Sequence, residues 1–188
     1  MPQFTTDRFL LRPICQEDLR FVFQGLGHED ITRHYPHDYR KLEDAQEKMD
    51  WYLQLVKEDT GRWFAVMSLD NEVFYGAAGF SEWDKLNNKA RIEFWLIREY
   101  WRRGVMREVV PVLCNWGFRV MGLFRIEAYV ESKNKRCLKV LQKTKFTHEG
   151  VLRAFKMRYK HYIHIHIYSI LFTDDVIPFD PFKPAPFD

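Results

Sequence analysis

The segment "WLIREYWRRGVMREVV" at residues 95–110 decides how the chain is read. A strand-like apolar run, "EFWLI" at residues 93–97, stops, Arg98, Arg102 and Arg103 follow, and Gly104 then opens a second apolar run. That run has another period, because Val105, Val109, Val112, Leu113, Trp116 and Val120 share one helical stripe. Strand, loop and helix therefore meet at a glycine. A helix start presents unpaired backbone N–H groups at the positive end of the aligned peptide dipoles. Gly104 lets the backbone approach a ligand with no Cβ in the way and permits φ values closed to other residues, while the arginines add charge around it. A phosphate or pyrophosphate suits that geometry. The nucleoside triphosphate and dinucleotide readings lose their motifs, since neither GxxxxGK[ST] nor GxGxxG after a strand occurs. Taken alone, the string also fits a turn on a solvated surface.

Working outward, "RWFAVMSL" and "EVFYGAAGF" flank Asp70 and Asn71, the turn chemistry of an antiparallel hairpin, and "KARIEFWLI" supplies a third strand. Upstream, "RFLLRPI" reads as a strand and "QEDLRFVFQGL" as a helix. A loop rich in His and Tyr follows, and then a helix marked by Ala45, Met49, Tyr52, Leu53 and Val56. Downstream of the Gly104 helix, where Pro111 removes one backbone donor and should introduce a bend, come the strand "LFRIEAYV", the short helix "NKRCLKVLQKTKF" and two long strands. The order is β-α-α-β-β-β-α-β-α-β-β, which a single mixed sheet with helices on both faces buries. The fold class is therefore α/β (α+β). Residues 1–173 form one domain, and residues 174–188 form a Pro/Phe-rich tail without period.

With 188 residues, 46% hydrophobic and 29% charged, the chain has the composition of one globular domain with a sizeable core. A formal charge of +3 does not by itself draw it to nucleic acid or to an acidic membrane, so any anion site is local. No cationic leader precedes an apolar core at the start and no membrane-length apolar run occurs, which gives a cytoplasmic expectation. Cys15, Cys114 and Cys137 lack C-x-x-C spacing and are expected to be free thiols.

Four stretches in order, "TDRFLLRPICQEDL", "EYWRRGVMREVV", "ESKNKRCLKVLQKTKF" and "EGVLRAFKMRYKHYIHIHIYSIL", resemble the GNAT superfamily of N-acetyltransferases, in particular its RimJ/RimL-like branch. The resemblance spans roughly residues 6–172. It implies a mostly antiparallel GNAT-like sheet and direct transfer of acetyl from acetyl-CoA to a primary amine, a protein N-terminal α-amine among the candidates. A small amine (polyamine, aminoglycoside or amino acid) is the alternative acceptor, and a non-catalytic acyl-CoA-binding module the alternative from another class. Implied partners are acetyl-CoA and the amine acceptor, with no metal, nucleic acid or membrane, in a monomer or homodimer.

In the resembling family the loop amides, here Arg102, Arg103, Gly104, Val105 and Met106, cradle the CoA pyrophosphate. The strand backbone at Trp95, Leu96 and Ile97 pairs with the pantetheine, and an N–H at Trp95 or Leu96 faces the thioester carbonyl. Asn134 steadies the pantetheine arm and Cys137 lies near the CoA sulfur. Two departures stand out: Met106 where relatives carry Gly or Ala, a bulk that can crowd the cofactor, and Lys145 where they carry Gly, which alters a helix cap. With Leu141 in place of the tyrosine acid of other branches, Cys137 is the general-acid candidate, since an ordinary thiol near a pKa of about 8.5 can protonate a thiolate. Its other reading is a small hydrophobe. Glu93 is the base candidate, because burial in an apolar strand would raise its pKa. Against that stand a solvent-side carboxylate, a pair with Arg91 or Arg125, or no dedicated base at all. Tyr35 and His37, with Tyr39 beside them, and His164 are the acceptor-site candidates. His164 and His166 share a strand face, but two such residues do not make a zinc site. Arg136, Lys139 and Lys143 can meet the 3′-phosphate or be a solvated face.

Overall fold

A computed structural model describes residues 3–33, 39–158 and 160–174, and among these are eight strands and five α-helices. They run β1 (Phe4–Thr5), β2 (Phe9–Pro13), α1 (Leu19–Leu26), α2 (Glu29–Thr32), α3 (Leu42–Lys57), β3 (Arg62–Ser68), β4 (Phe74–Asp84), β5 (Lys89–Leu96), α4 (Val105–Val120), β6 (Arg125–Glu131), α5 (Lys135–Lys143), β7 (Thr147–Arg158) and β8 (His161–Leu171). The sequence-derived order lacks two of these. β1 is a two-residue strand, and α2 is a single turn inside the loop that periodicity reads as irregular. Neither is long enough to carry a period. α4 runs unbroken through Pro111.

All strands join one sheet in the order β1-β2-β3-β4-β5-β6-β8-β7. Every pairing is antiparallel except β5 with β6, which are parallel only where Lys89, Ala90 and Arg91 face Arg125, Ile126 and Glu127. Beyond Arg91, β5 stays bonded to β4 as far as Leu96 but leaves β6. The sheet opens there into a V, and α4, the crossover between the two strands, starts at its mouth.

Each face of the sheet has its own core. Phe64, Phe80, Leu113, Trp116, Ile126 and Leu141 pack under α4 and α5, while Val22, Leu26, Met49, Tyr52, Trp63 and Trp95 pack under α1 and α3. Each such side chain contributes about 1.5–3 kcal/mol by leaving water. Strand alternation does the sorting: Ile92, Phe94 and Leu96 point to the α4 side, and Glu93, Trp95 and Ile97 to the α3 side. A Cβ on Gly25 of α1 would stand 2.1 Å from the Trp95 ring, so Gly25→Ala would expel that indole.

Local chemistry sets the helix ends. Asp44 accepts from the Lys41 N–H at 2.8 Å to cap α3, and Asn134 Oδ1 accepts from the Cys137 N–H at 3.1 Å to cap α5. Lys145, the glycine departure after α5, has φ of 65°, a left-handed conformation that a side chain enters at about 1 kcal/mol relative to glycine. The β3–β4 turn forms as the Asp-Asn pair requires, with Asn71 at φ 61°.

Candidate active site

The V floors a cleft of about 1100 Å³, walled on one side by Phe94, Leu96 and the Gly104 loop and on the other by Asn134, Cys137 and Val140. Gly104 caps α4 at φ 78° and ψ 3°. A Cβ there would meet nothing closer than the Arg8 side chain at 3.6 Å, so the glycine is required by conformation, not by crowding. The Gly104 carbonyl accepts from the Arg107 and Glu108 N–H groups at 3.1 and 3.3 Å. Among the described residues, the backbone N–H groups of Arg102, Arg103, Gly104, Val105 and Met106 make no hydrogen bond. Consecutive unpaired amides at the positive end of α4 form an anion nest. Charge approaches it from afar in sequence: Glu108 binds Arg8 Nε at 2.7 Å and so holds that guanidinium beside Gly104.

The cleft-facing backbone of β5 follows from strand parity. The Ile97 N–H donates to the Tyr75 carbonyl at 2.9 Å, and the Trp95 carbonyl lies 2.2 Å from where a Cβ on Gly76 of β4 would be. Ile97 and Trp95 therefore direct their polar groups at β4, and Phe94 and Leu96 direct theirs at the open V. The Leu96 carbonyl accepts from Trp101 Nε1 at 2.9 Å. Of the three backbone candidates on this strand Trp95 and Leu96 line the cleft and Ile97 does not, and of these two Leu96 is the one whose backbone polar groups turn away from β4. Ile97 is 4% exposed in the α3-side core, and the Trp95 indole donates to the Tyr52 hydroxyl at 3.0 Å beneath α3.

Arg102 lines the cleft, whereas the Arg103 guanidinium lies 5.6 Å from the centre of the Tyr100 ring and the residue is absent from the wall. Met106, at 4% exposed, packs in the α4-side core and also lines the cleft. Arg136, Lys139 and Lys143 line the cleft on α5, and Arg136 stacks 4.6 Å from the centre of Trp101, whose other neighbour is Arg98 at 4.7 Å. Cys137 lies in the wall as well, and burial pushes its thiol up to about 12. Burial thus keeps the thiol protonated and makes it a weaker acid than an ordinary cysteine.

Glu93 accepts from the Ser81 hydroxyl at 2.9 Å and is paired with neither Arg91, which binds Glu82, nor Arg125, which binds Glu127 and Glu149. It lies on the α3 side rather than in the cleft wall. Near it, burial pulls the Lys48 ammonium down to about 8, against an opposing pull from Glu93, and the Lys48 Nζ lies 3.6 Å from the centre of Trp51. Tyr39 is buried, and burial pushes its phenol up to about 12.

His164 falls outside the cleft: its Nδ1 accepts from the Ala154 N–H at 3.0 Å and its ring is exposed. Strand parity is the reason, because His161 and Ile163 carry the odd positions of β8 that line the site. Tyr35 and His37 lie outside the described residues. His148 and His166 approach at 2.9 Å, and no group of three metal-ligating side chains occurs among the described residues.

The far end of the cleft was not read from the sequence. There Asp30 and Arg33 of the α2 region, Glu131 at the end of β6, Arg158 of β7 and His161 of β8 converge. Asp30 is bound by Arg98 at 2.9 Å and Arg33 at 2.5 Å, and Glu131 by Arg158 at 2.5 Å. The Arg158–Glu131 pair is only 11% and 10% exposed, and Arg158 also donates to the Arg33 carbonyl at 2.9 Å. The only sequence signal was the charge density around residues 28–33, which a solvated helix turn explains equally well.

This combination of a splayed parallel pair and a glycine-capped crossover helix has known counterparts. The chain belongs to the acetyltransferase (GNAT) domain family, whose model matches residues 8–147, and it is an N-acetyltransferase of that type. Acetyltransferases of this family use acetyl-CoA. The chain is 29% identical over 171 residues to the uncharacterized N-acetyltransferase YoaA of Bacillus subtilis (strain 168), covering 90% of this chain and 97% of that one. It is 28% identical over 145 residues to the spermidine N(1)-acetyltransferase of Escherichia coli (strain K12), covering 76% and 74%. Its fold matches the solved structure of RimL, a ribosomal L7/L12 alpha-N-protein acetyltransferase in complex with coenzyme A, at TM-score 0.81 and 15% identity over 90% and 98% of the two chains. No helix among the described residues is long and apolar enough to cross a membrane.

Proposed function

We propose that this protein transfers the acetyl group of acetyl-CoA directly to a primary amine, with a protein N-terminal α-amine as the acceptor. The observation that carries the reading is the row of unpaired amides at residues 102–106, which opens into the same cleft as the unpartnered backbone of β5. The amides and Arg102 bind the pyrophosphate, Asn134 and the β5 edge hold the pantetheine, and the Leu96 N–H faces the thioester carbonyl. The amine nitrogen attacks that carbonyl carbon. A C–N bond forms, the C–S bond breaks, one proton leaves the new ammonium for water, and the CoA thiolate takes a proton from solvent. The Cys137 thiol, protonated throughout the physiological range, supports the departing sulfur as a hydrogen-bond donor rather than as an acid.

The α-amine is favoured over a polyamine because both carboxylates in the cleft wall, Asp30 and Glu131, are already bound by arginines. The similarity to spermidine acetyltransferases makes a polyamine the second reading. Initial-rate kinetics with acetyl-CoA against an N-terminal peptide and against spermidine test both. Intersecting double-reciprocal lines with the peptide are expected. Parallel lines with acetyl trapped on Cys137 overturn direct transfer, and turnover with spermidine alone overturns the acceptor assignment.

A further inference from the structure

The hydrogen bond from Trp101 Nε1 to the Leu96 carbonyl lies inside the cleft, and no step of acetyl transfer uses it. Phe94 and Leu96 are the β5 residues whose polar groups turn to the V, because those of Trp95 and Ile97 are directed at β4. Their two carbonyls are the acceptors that an extended arm running along the strand needs for its amide N–H groups. One of the two is taken. The indole nitrogen lies 2.9 Å from the Leu96 oxygen, where an incoming amide donor would stand.

Two cations hold the ring in that place. Arg98, itself bound to Asp30 at 2.9 Å, lies 4.7 Å from the ring centre, and Arg136 of α5 lies 4.6 Å from it. Trp101 belongs to the wall that follows β5 and Arg136 to the wall opposite, so their contact spans the cleft. The ring is half-buried, with part of it packed on the α3-side core. Next to it Arg102 takes φ 64°, a left-handed conformation that a residue with a side chain enters at a cost. The segment joining β5 to α4 is therefore held by its contacts and not by its own backbone preference.

We propose that Trp101 closes the donor site of the free protein: its indole N–H occupies the Leu96 carbonyl, its stack on Arg136 bridges the cleft, and the pantetheine arm of acetyl-CoA displaces it to pair with β5. This rests on the acetyltransferase reading above and specifies how its donor site opens. Trp101 is a positioning residue, since it holds the place of the arm and does not touch the reacting atoms. Part of the binding energy of acetyl-CoA goes into moving it, which lowers the apparent affinity. A ligand that uses only the amide nest, such as adenosine 3′,5′-bisphosphate, leaves the indole where it is.

The test is calorimetric titration of acetyl-CoA and of adenosine 3′,5′-bisphosphate into the full chain and into Trp101→Phe, which keeps a ring for Arg98 and Arg136 and removes the N–H. Acetyl-CoA is expected to bind the variant about fivefold more tightly, the effect of one neutral hydrogen bond no longer in competition, and the bisphosphate to bind both proteins equally. A residue that merely lines the wall gives the opposite sign. Weaker or unchanged acetyl-CoA binding overturns the proposal, and so does an equal gain for both ligands, which would place the effect at the nest. Hydrogen exchange on the wild type covers a variant that does not fold. Of the six tryptophan indoles, that of Trp101 should exchange faster with acetyl-CoA bound but not with the bisphosphate, and equal or slower exchange sinks the idea. If neither ligand binds the wild type, the cofactor site itself is misread and the proposal falls with it.

Discussion

The two ends of one cleft are built in opposite ways. At the end proposed for the cofactor the groups that matter are backbone amides and a strand edge, supplied by two short stretches, residues 94–107 and 134–143, which are locally determined by a strand end, a glycine and a helix cap. At the other end, the one proposed for the acceptor, they are side chains from α2, β6, β7 and β8, brought from four separated places, with Asp30 and Glu131 held by ion pairs. A backbone site depends on conformation and tolerates side-chain change, whereas a side-chain site depends on which partners meet. The first end therefore suits a ligand that never varies, and the second is free to diverge with the acceptor.

The largest expected effect breaks the cofactor end alone. Gly104→Glu places a carboxylate at the amide nest and forces a side chain into φ 78°, so acetyl-CoA affinity should fall more than about a hundredfold with circular dichroism unchanged. Retained affinity would mean that the nest is only a turn. Next comes Glu131→Gln at the other end. It leaves the Arg158 guanidinium without its counter-charge but with an amide acceptor, so stability should drop by about 2 kcal/mol in urea titration. The acceptor KM should rise while the acetyl-CoA Kd stays put, and a change in Kd would show that the two ends are not separable.

The smallest effect concerns Cys137, which faces the cofactor end with its side chain only. A general acid near pKa 8.5 would lose its proton as the pH rises and kcat would fall with it. With the thiol pushed up to about 12 it stays protonated, so kcat should show no such fall up to about pH 10. Cys137→Ala should then keep the shape of the profile and lower kcat less than about tenfold. A descending limb near pH 8.5 that vanishes in the variant would restore the thiol as the acid.

The local conformation of the Gly104 and Asn134 segments was legible in the sequence because it is set within a few residues. The switch from strand period to helix period around Gly104, and the capping Asn134, are visible in the residues themselves. Parity was the first thing missed. The sequence marks a strand at residues 93–97 and histidines at 161, 164 and 166, but which residues turn to the cleft depends on pairing with β4 and on the irregularities in β7 at Gly150 and between Leu152 and Lys156. Leu96 rather than Ile97, and His161 rather than His164, follow from those contacts. One-turn α2 gave no period to read, and it carries Asp30.

The sequence by itself determined the fold class, the glycine-capped crossover helix and the free thiols, since all of these rest on propensities and spacings within a few residues. Only the tertiary structure decided where β5 parts from β6, that burial raises the Cys137 thiol, and that Asp30 and Glu131 are held by arginines distant in the chain. These are set by desolvation and by charges at distances of a few ångströms, and neither quantity exists until the chain has folded.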